Sequence, residues 1–127
     1  MSPPVQSKIE QVQSNIIFVL VDDMGYADLG CHGGEIKTPH IDLLAAQGIR
    51  FTQMCNTAKC MPSRACLLTG VYAQQCGIDE KSLDIKNAVT LGEVLKTAAY
   101  RTFASGKHHG KENLHDRGFD HYYGLGG

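Results

Sequence analysis

Three short stretches of the sequence hold side chains whose types and spacing suit chemistry at a common site. Each stretch pairs two such groups: two carboxylates, a thiol with a guanidinium, and an ammonium with an imidazole. Such groups could hold a metal ion, provide a nucleophile and transfer a proton. The pairs are Asp22 with Asp23, Cys60 with Arg64, and Lys107 with His109.

The adjacent carboxylates Asp22 and Asp23 end an apolar run. Neighbouring residues on a regular strand point to opposite faces, so both carboxylates reach one point only where the backbone turns. A turn before Met24 and Gly25 would allow this, and two hard oxygen donors suit Ca²⁺ or Mg²⁺. The alternative is that the two residues only terminate a strand.

Cys60 lies in the stretch KCMPSRACLLTG, just before an expected helix start at Pro62. Free N–H groups at a helix start favour negative charge, and Arg64 adds a positive charge one turn further on. These surroundings suit either a thiolate nucleophile or a pocket for an anionic substrate group, and the spacing alone leaves both open. The other cysteines are predicted to be small buried side chains. A zinc site with irregular spacing is a further alternative, built from the thiols of all five cysteines and from His108, His109 and His115.

Lys107 and His109 follow the stretch YRTFASG. Residues two apart on an extended segment face the same way, and His108 between them would point elsewhere. An ammonium group beside an imidazole suits charge neutralisation combined with proton transfer. The alternative is a polar loop with surface histidines.

The elements that would position these residues alternate between strands and helices. Strands are expected at 15–23, 49–54 and 100–106, and helices at 38–48, 62–70 and 90–99. The order predicts an α/β domain with a mostly parallel sheet flanked by helices, over residues 15–127 after a disordered lead-in at 1–14. The ends of parallel strands share one edge of a sheet, so the three reactive stretches are expected to converge. The first helix is expected to bury Ile41, Leu44 and Ala45.

Composition narrows the class of protein. The chain has 127 residues, 43% of them hydrophobic and 20% charged, and its net charge is −1. This balance is typical of a globular domain, and without a basic run we expect no nucleic-acid partner. The longest apolar run is much shorter than a membrane span, so no membrane partner is expected. As written, the sequence shows no apolar leader, and a cytoplasmic location is the expectation, with export of the full-length protein as the alternative.

Several blocks of sequence resemble type I sulfatases, which have the alkaline-phosphatase-like α/β fold. Residues 60–70, CMPSRACLLTG, resemble the family's signature. NIIFVLVDDMGYADLG and TPHIDLLAAQGIRFTQ resemble its opening strand and its first helix–strand unit, while GKHHG and RGFDHYYG resemble two later segments. The resemblance covers about residues 15–124. Two departures occur: His108 stands where the family often has Trp, and Gly110-Lys111 replaces Leu-Gly.

The resemblance implies that Cys60 is a precursor. In the family this cysteine is oxidised to formylglycine by a formylglycine-generating enzyme or a radical sulfatase-maturating enzyme, and Pro62 and Arg64 belong to the recognised signal. The hydrated aldehyde carries two hydroxyls. One attacks the sulfur of a sulfate ester and displaces the alcohol; deprotonation of the other then releases sulfate and restores the aldehyde.

The remaining roles are carried over by position. The metal ion, Ca²⁺ or Mg²⁺, would have ligands from two aspartates and from the group made at Cys60. An arginine would stabilise the hydrate, a lysine would bind the sulfate oxygens, and a histidine would be the base that triggers sulfate release. By resemblance the metal ligands are Asp22, Asp23 and the group made at Cys60. The arginine is Arg64, the lysine is Lys107 and the histidine is His109.

In the family, a second pair of metal ligands, a general-acid histidine and a second substrate lysine lie beyond the equivalent of Gly127. The expectation is therefore the N-terminal portion of a sulfatase catalytic domain, with little or no activity by itself. The alternatives are a phosphonate monoester or phosphodiester hydrolase with the same modified cysteine, a non-catalytic module that binds a metal or an anion, and an enzyme that uses Cys60 as a thiolate.

Overall fold

A computed structural model describes residues 13–79 and 82–125 of the chain. Its helices are α1 (Pro39–Gln47), α2 (Cys60–Thr69) and α3 (Leu91–Thr97), and its strands are β1 (Phe103–Ser105) and β2 (His121–Tyr123). Short 3-10 turns cover Tyr26–Asp28, Gly30–His32 and Leu114–Arg117. One compact unit ends at Ile49 and a second begins at Arg50. The predicted lead-in at 1–14 lies outside the described residues except for its last two.

Helix α2 begins two residues earlier than predicted. Cys60 is its first residue, and Lys59 takes the N-cap position with an extended backbone. Pro62 is tolerated as the third helical residue because the N–H groups of the first turn have no partner within a helix. The helix ends, as predicted, at Gly70, whose left-handed φ of 72° suits a residue without a Cβ.

The hydrophobic core of the second unit lies between α2 and the segment that follows it. Met61 and Ala65, one turn apart on α2, are buried together with four apolar side chains from the following segment. This packing buries one face of α2 and so fixes the direction in which its first residue points. The four side chains are those of Ala73, Cys76, Ile78 and Ile85.

Helix α3 confirms the predicted capping box. The Thr90 hydroxyl accepts from the Glu93 N–H at 3.2 Å, and the Glu93 carboxylate accepts from the Thr90 N–H at 2.6 Å. Thr90 is fully buried, and its hydroxyl also donates to the Arg117 carbonyl at 2.5 Å. One side chain therefore starts the helix and attaches it to the turn before β2.

Replacing Thr90 by alanine is expected to lower the free energy of unfolding by about 1–3 kcal/mol, because the cap and the bond to the Arg117 carbonyl are both lost in a buried place. Thr90→Ser keeps the hydroxyl and should cost clearly less. Urea unfolding of both variants, followed by circular dichroism, checks this. Equal losses for the two variants would show that the hydroxyl does not matter.

Strands β1 and β2 form a parallel pair in which Phe103 faces His121 and Ser105 faces Tyr123. The pairing is fixed at its start by Thr102, whose N–H donates to the Asp120 carboxylate at 2.9 Å and whose carbonyl accepts from the Asp120 N–H at 2.8 Å. β1 was predicted, whereas β2 was not. The two strands and the helices confirm an α/β fold.

The first unit contains α1 with the predicted bounds. Thr38 precedes the helix and Gly48 follows it. The Thr38 hydroxyl does not cap the helix; it donates to the Asp42 carboxylate at 2.8 Å, and Asp42 also accepts from the Cys31 N–H at 2.7 Å. The expected burial of one α1 face is wrong for Ile41 and Leu44, which are exposed, and Ala45 is only half-buried.

Two predicted strands are wrong. Residues 15–23 and 49–54 form no strand, and the first run is exposed throughout, with Ile17 87% exposed. A strand needs a neighbour for its N–H and C=O groups, and within the described ranges only β1 and β2 pair. Cys55, predicted to be buried, is exposed. Among the described helices, none has the length and apolar character to cross a bilayer.

Candidate active site

The second unit brings Cys60 and Lys107 together although 46 residues separate them in the chain. The Lys107 Nζ lies 3.5 Å from the Cys60 Sγ. Cys60 is half-buried at the first position of α2, where the N–H groups of the first turn are directed out of the helix. A positive charge and a helix start therefore meet at one sulfur atom, which favours an anion there.

Arg64 lies one helical turn after Cys60 and is buried, with 9% of the residue exposed. Its Nη1 donates to the Lys107 carbonyl at 2.6 Å. This contact differs from the expected one, in which the guanidinium stabilises the group at Cys60. In the structure Arg64 holds the backbone of the residue whose ammonium lies against Cys60. The guanidinium also brings a second positive charge, in addition to that of the Lys107 ammonium group, close to the Lys107 backbone.

The backbone after β1 presents Lys107 in a tight turn. Gly106 has a left-handed φ of 102°, and its N–H donates to the Tyr123 carbonyl at 2.9 Å. The Tyr122 hydroxyl donates to the Gly106 carbonyl at 3.0 Å. On the other side of Lys107, the His108 N–H donates to the Leu125 carbonyl at 3.1 Å. The turn is thus held to the segment that contains β2 on both sides of Lys107.

The expectation that the side chains of Lys107 and His109 face the same way does not follow from the backbone conformation at His109. The expectation requires an extended backbone, and His109 has a left-handed φ of 68°. The His109 side chain is exposed. Its role as the base that triggers sulfate release therefore stays a prediction that rests on the resemblance.

His108 and Glu112 are the site residues that sequence reasoning missed. His108 was expected to point away from Lys107 and His109, but its burial was not predicted: it is 3% exposed, and its Nε2 lies 3.3 Å from the Glu112 Oε1. Glu112 also accepts from the Ile85 N–H at 3.4 Å. One signal was available: His108 occupies a position where the resembling family often has Trp, a large ring that is usually buried.

Burial lowers the pKa of His108 below its ordinary value. The Glu112 carboxylate opposes this shift, whereas Arg64 and Arg117 add to it. His108 is therefore a neutral imidazole at neutral pH. Because the charged form is disfavoured only in the folded state, protonation of His108 favours unfolding.

Acidification from about pH 7 to pH 5 is expected to destabilise the protein in part through His108. The stability that depends on a neutral His108 imidazole is fully present above the ordinary histidine pKa and is lost as the pH falls below it. His108→Gln removes the titrating group and should show a smaller loss of stability over this range. Urea midpoints at both pH values compare the two proteins. Identical pH dependence would contradict a role for His108.

Asp22 and Asp23 belong to the first unit and are both exposed. Asp23 has a left-handed φ of 54°, so the backbone turns between the two carboxylates. A turn is the condition under which adjacent side chains reach a common point. The geometry and the donor chemistry, two carboxylates, therefore fit a hard divalent cation such as Ca²⁺ or Mg²⁺.

Comparison with known proteins agrees with these features. The chain is 38% identical to arylsulfatase G of Mus musculus, over 95% of this chain and 25% of that protein. It is 33% identical to an arylsulfatase of Klebsiella aerogenes, over 93% of this chain and 29% of that protein. The chain thus spans between a quarter and three tenths of the length of these two relatives. The profile of the family described as Sulfatase matches residues 14–127, and the chain belongs to the sulfatase family.

Proposed function

We propose that this chain carries the nucleophile of a sulfate-ester hydrolase, with Cys60 as the precursor of that nucleophile. The observation that carries the proposal is the Lys107 ammonium group 3.5 Å from the Cys60 Sγ at the first residue of α2. Two of the similar proteins are named arylsulfatases, which supports an aryl sulfate as the class of substrate to test.

The proposed site binds a sulfate ester through charge. A sulfate monoester carries one negative charge, and the Lys107 ammonium supplies a matching positive charge beside Cys60. Arg64 holds the carbonyl of Lys107, so the ammonium is directed to the reacting group without a large entropy loss at each turnover. Charge developing toward the leaving oxygen is stabilised by the same preorganised groups.

In this proposal formylglycine at position 60 supplies a hydrated aldehyde, with one hydroxyl for attack and a second whose deprotonation releases sulfate. A cation held by Asp22 and Asp23 would supply Lewis acidity that activates the attacking oxygen. His109, exposed and two residues after Lys107, is the proposed acceptor of the proton that starts sulfate release. We propose that Cys60 is converted by a formylglycine-generating or a radical maturating enzyme.

Mass spectrometry of the tryptic peptide from Cys60 to Arg64 tests the proposal directly. In protein from its native host we expect the aldehyde, which is lighter than the thiol, and labelling by a hydrazide reagent. The peptide that contains Cys66, from the same digest, is an internal control and should stay a thiol. A free thiol at position 60 in that material would rule out the formylglycine mechanism and leave Cys60 as a thiolate or as part of an anion pocket.

A further inference from the structure

We propose that the buried His108 and the half-buried Glu112 form an anchor that positions Lys107 against Cys60. The inference deepens the proposed function and rests on it for its meaning in catalysis, but its geometry is independent of the modification of Cys60. His108 is a positioning residue here, because its described contacts are with Glu112, with Tyr122 and with the backbone of Leu125.

The anchor is enclosed on several sides. The His108 ring meets the Tyr122 ring edge-on, with 6.5 Å between the ring centroids. Gly110 lies directly beside the pair: a Cβ at this position would come within 2.5 Å of the His108 Nε2 and 2.7 Å of the Glu112 Oε2. A glycine is therefore required at position 110 for the imidazole and the carboxylate to keep their places.

The anchor acts on Lys107 through one peptide unit. Lys107 is exposed and has a long, flexible side chain, so its own packing does not fix the position of its ammonium group. The backbone beside it is fixed on both sides: Arg64 holds the Lys107 carbonyl, and the buried His108 holds the next residue. Release of His108 would let the turn after Gly106 move, and the ammonium would move with it.

The position of the ammonium matters because electrostatic catalysis depends on preorganisation. A displacement of about 1 Å at a positioning group can lower a rate by about a hundredfold. Arg64 alone would hold one carbonyl, whereas two contacts on successive residues restrict rotation of the peptide unit between them. The anchor therefore restricts the directions that Lys107 can take.

The test uses the thiol form of the full chain and the reagent ortho-phthalaldehyde. Its two aldehydes condense with one amine and one thiol to form a fluorescent isoindole and two molecules of water, and the reaction is fast only when amine and thiol are neighbours. Fluorescence gives the rate, and mass spectrometry of the digest locates the product at Cys60 and Lys107 rather than at the adjacent Lys59. Lys107→Ala should abolish that cross-link.

Two variants disturb the anchor in different ways. His108→Leu removes its polar group, and Gly110→Ala pushes the pair apart while leaving both side chains present. We expect each to slow the cross-link between Cys60 and Lys107 by about tenfold or more. His108→Gln retains an N–H for Glu112 and should restore the rate to within about threefold of the original protein.

Thr90→Ala is the control for a general loss of stability, since the described side-chain contacts of Thr90 are with Glu93 and the Arg117 carbonyl and not with the turn after Gly106; it should leave the rate within about threefold. Rates at the original level in folded His108→Leu and Gly110→Ala overturn the proposal, as does equal slowing by Thr90→Ala. If His108→Leu does not fold, Gly110→Ala decides. Because this test uses the thiol form, a negative result would not contradict the formylglycine proposal. In turn, a thiol at position 60 in protein from the native host would contradict the formylglycine proposal but not the anchor.

Discussion

Replacing Arg64 by alanine is expected to lower the free energy of unfolding by about 2–4 kcal/mol, one of the two largest effects predicted for this chain. Arg64 is 9% exposed, and its guanidinium donates to the Lys107 carbonyl at 2.6 Å. Its removal leaves that carbonyl without this donor and removes the packing of a long side chain that is buried in the folded chain. The same change should slow the cross-link between Cys60 and Lys107, because the Lys107 carbonyl loses the side chain that holds it.

Arg101 provides the matched control for this prediction. It is an exposed arginine whose guanidinium lies over the Phe103 ring, with 5.3 Å to the ring centroid. Arg101→Ala should change the free energy of unfolding by no more than about 1 kcal/mol. Urea unfolding of both variants gives the comparison. Similar, small losses for the two arginines would contradict the structural role assigned to Arg64.

Local signals predicted the helices well, because caps and helix ends depend on residues near in sequence. Thr90 with Glu93 forms the predicted capping box, and Gly70 ends its helix in the left-handed conformation that glycine favours. The start of α2 was placed two residues too late because Pro62 was taken as the first helical residue. Proline is accepted throughout the first turn, so it marks a helix start only to within a few residues.

Strands were predicted less well because they depend on partners far away in sequence. The run Ile16–Val21 has the composition of a buried strand, yet composition does not supply a hydrogen-bonding neighbour, and the run is exposed. β2, at His121–Tyr123, was missed for the opposite reason. Its residues carry little pattern, and its pairing is fixed by contacts between Thr102 and Asp120 that no sequence rule predicts.

The candidate site was predicted in part. Charge and position indicated that Cys60 and Lys107 could serve one site, and the structure places them 3.5 Å apart. The contact of Arg64 with a backbone carbonyl was not predictable, because a long side chain can reach many acceptors. The burial of His108 was missed since a histidine in a polar stretch is most often exposed, and only the fold shows that Glu112 lies beside it.

Conversion of Cys60 by a maturating enzyme is expected to be at least about a hundredfold faster on the unfolded chain than on the folded one, because the folded state hides part of the signal. By resemblance the enzyme reads Cys60, Pro62 and Arg64. In the fold Arg64 is buried and bonded to the Lys107 carbonyl, and Met61 beside Cys60 is buried too. An enzyme that must contact residues 60–64 can bind them only after α2 has unfolded locally.

The measurement compares two thiol substrates, the folded protein and a short peptide that contains the same signal. Purified thiol protein is given to the maturating enzyme either folded or as the peptide of residues 55–70, and aldehyde formation is followed by mass spectrometry. Arg64→Ala in the peptide tests recognition separately from folding and should lower conversion strongly. In the folded protein Arg64→Ala weakens the packing of α2 but also removes part of the signal, so it should not raise conversion. Thr90→Ala keeps the signal and lowers the stability of the fold, so it should raise conversion. Equal conversion of folded protein and peptide would show that α2 opens freely, and the tight hold on Arg64 inferred from its burial would then be wrong.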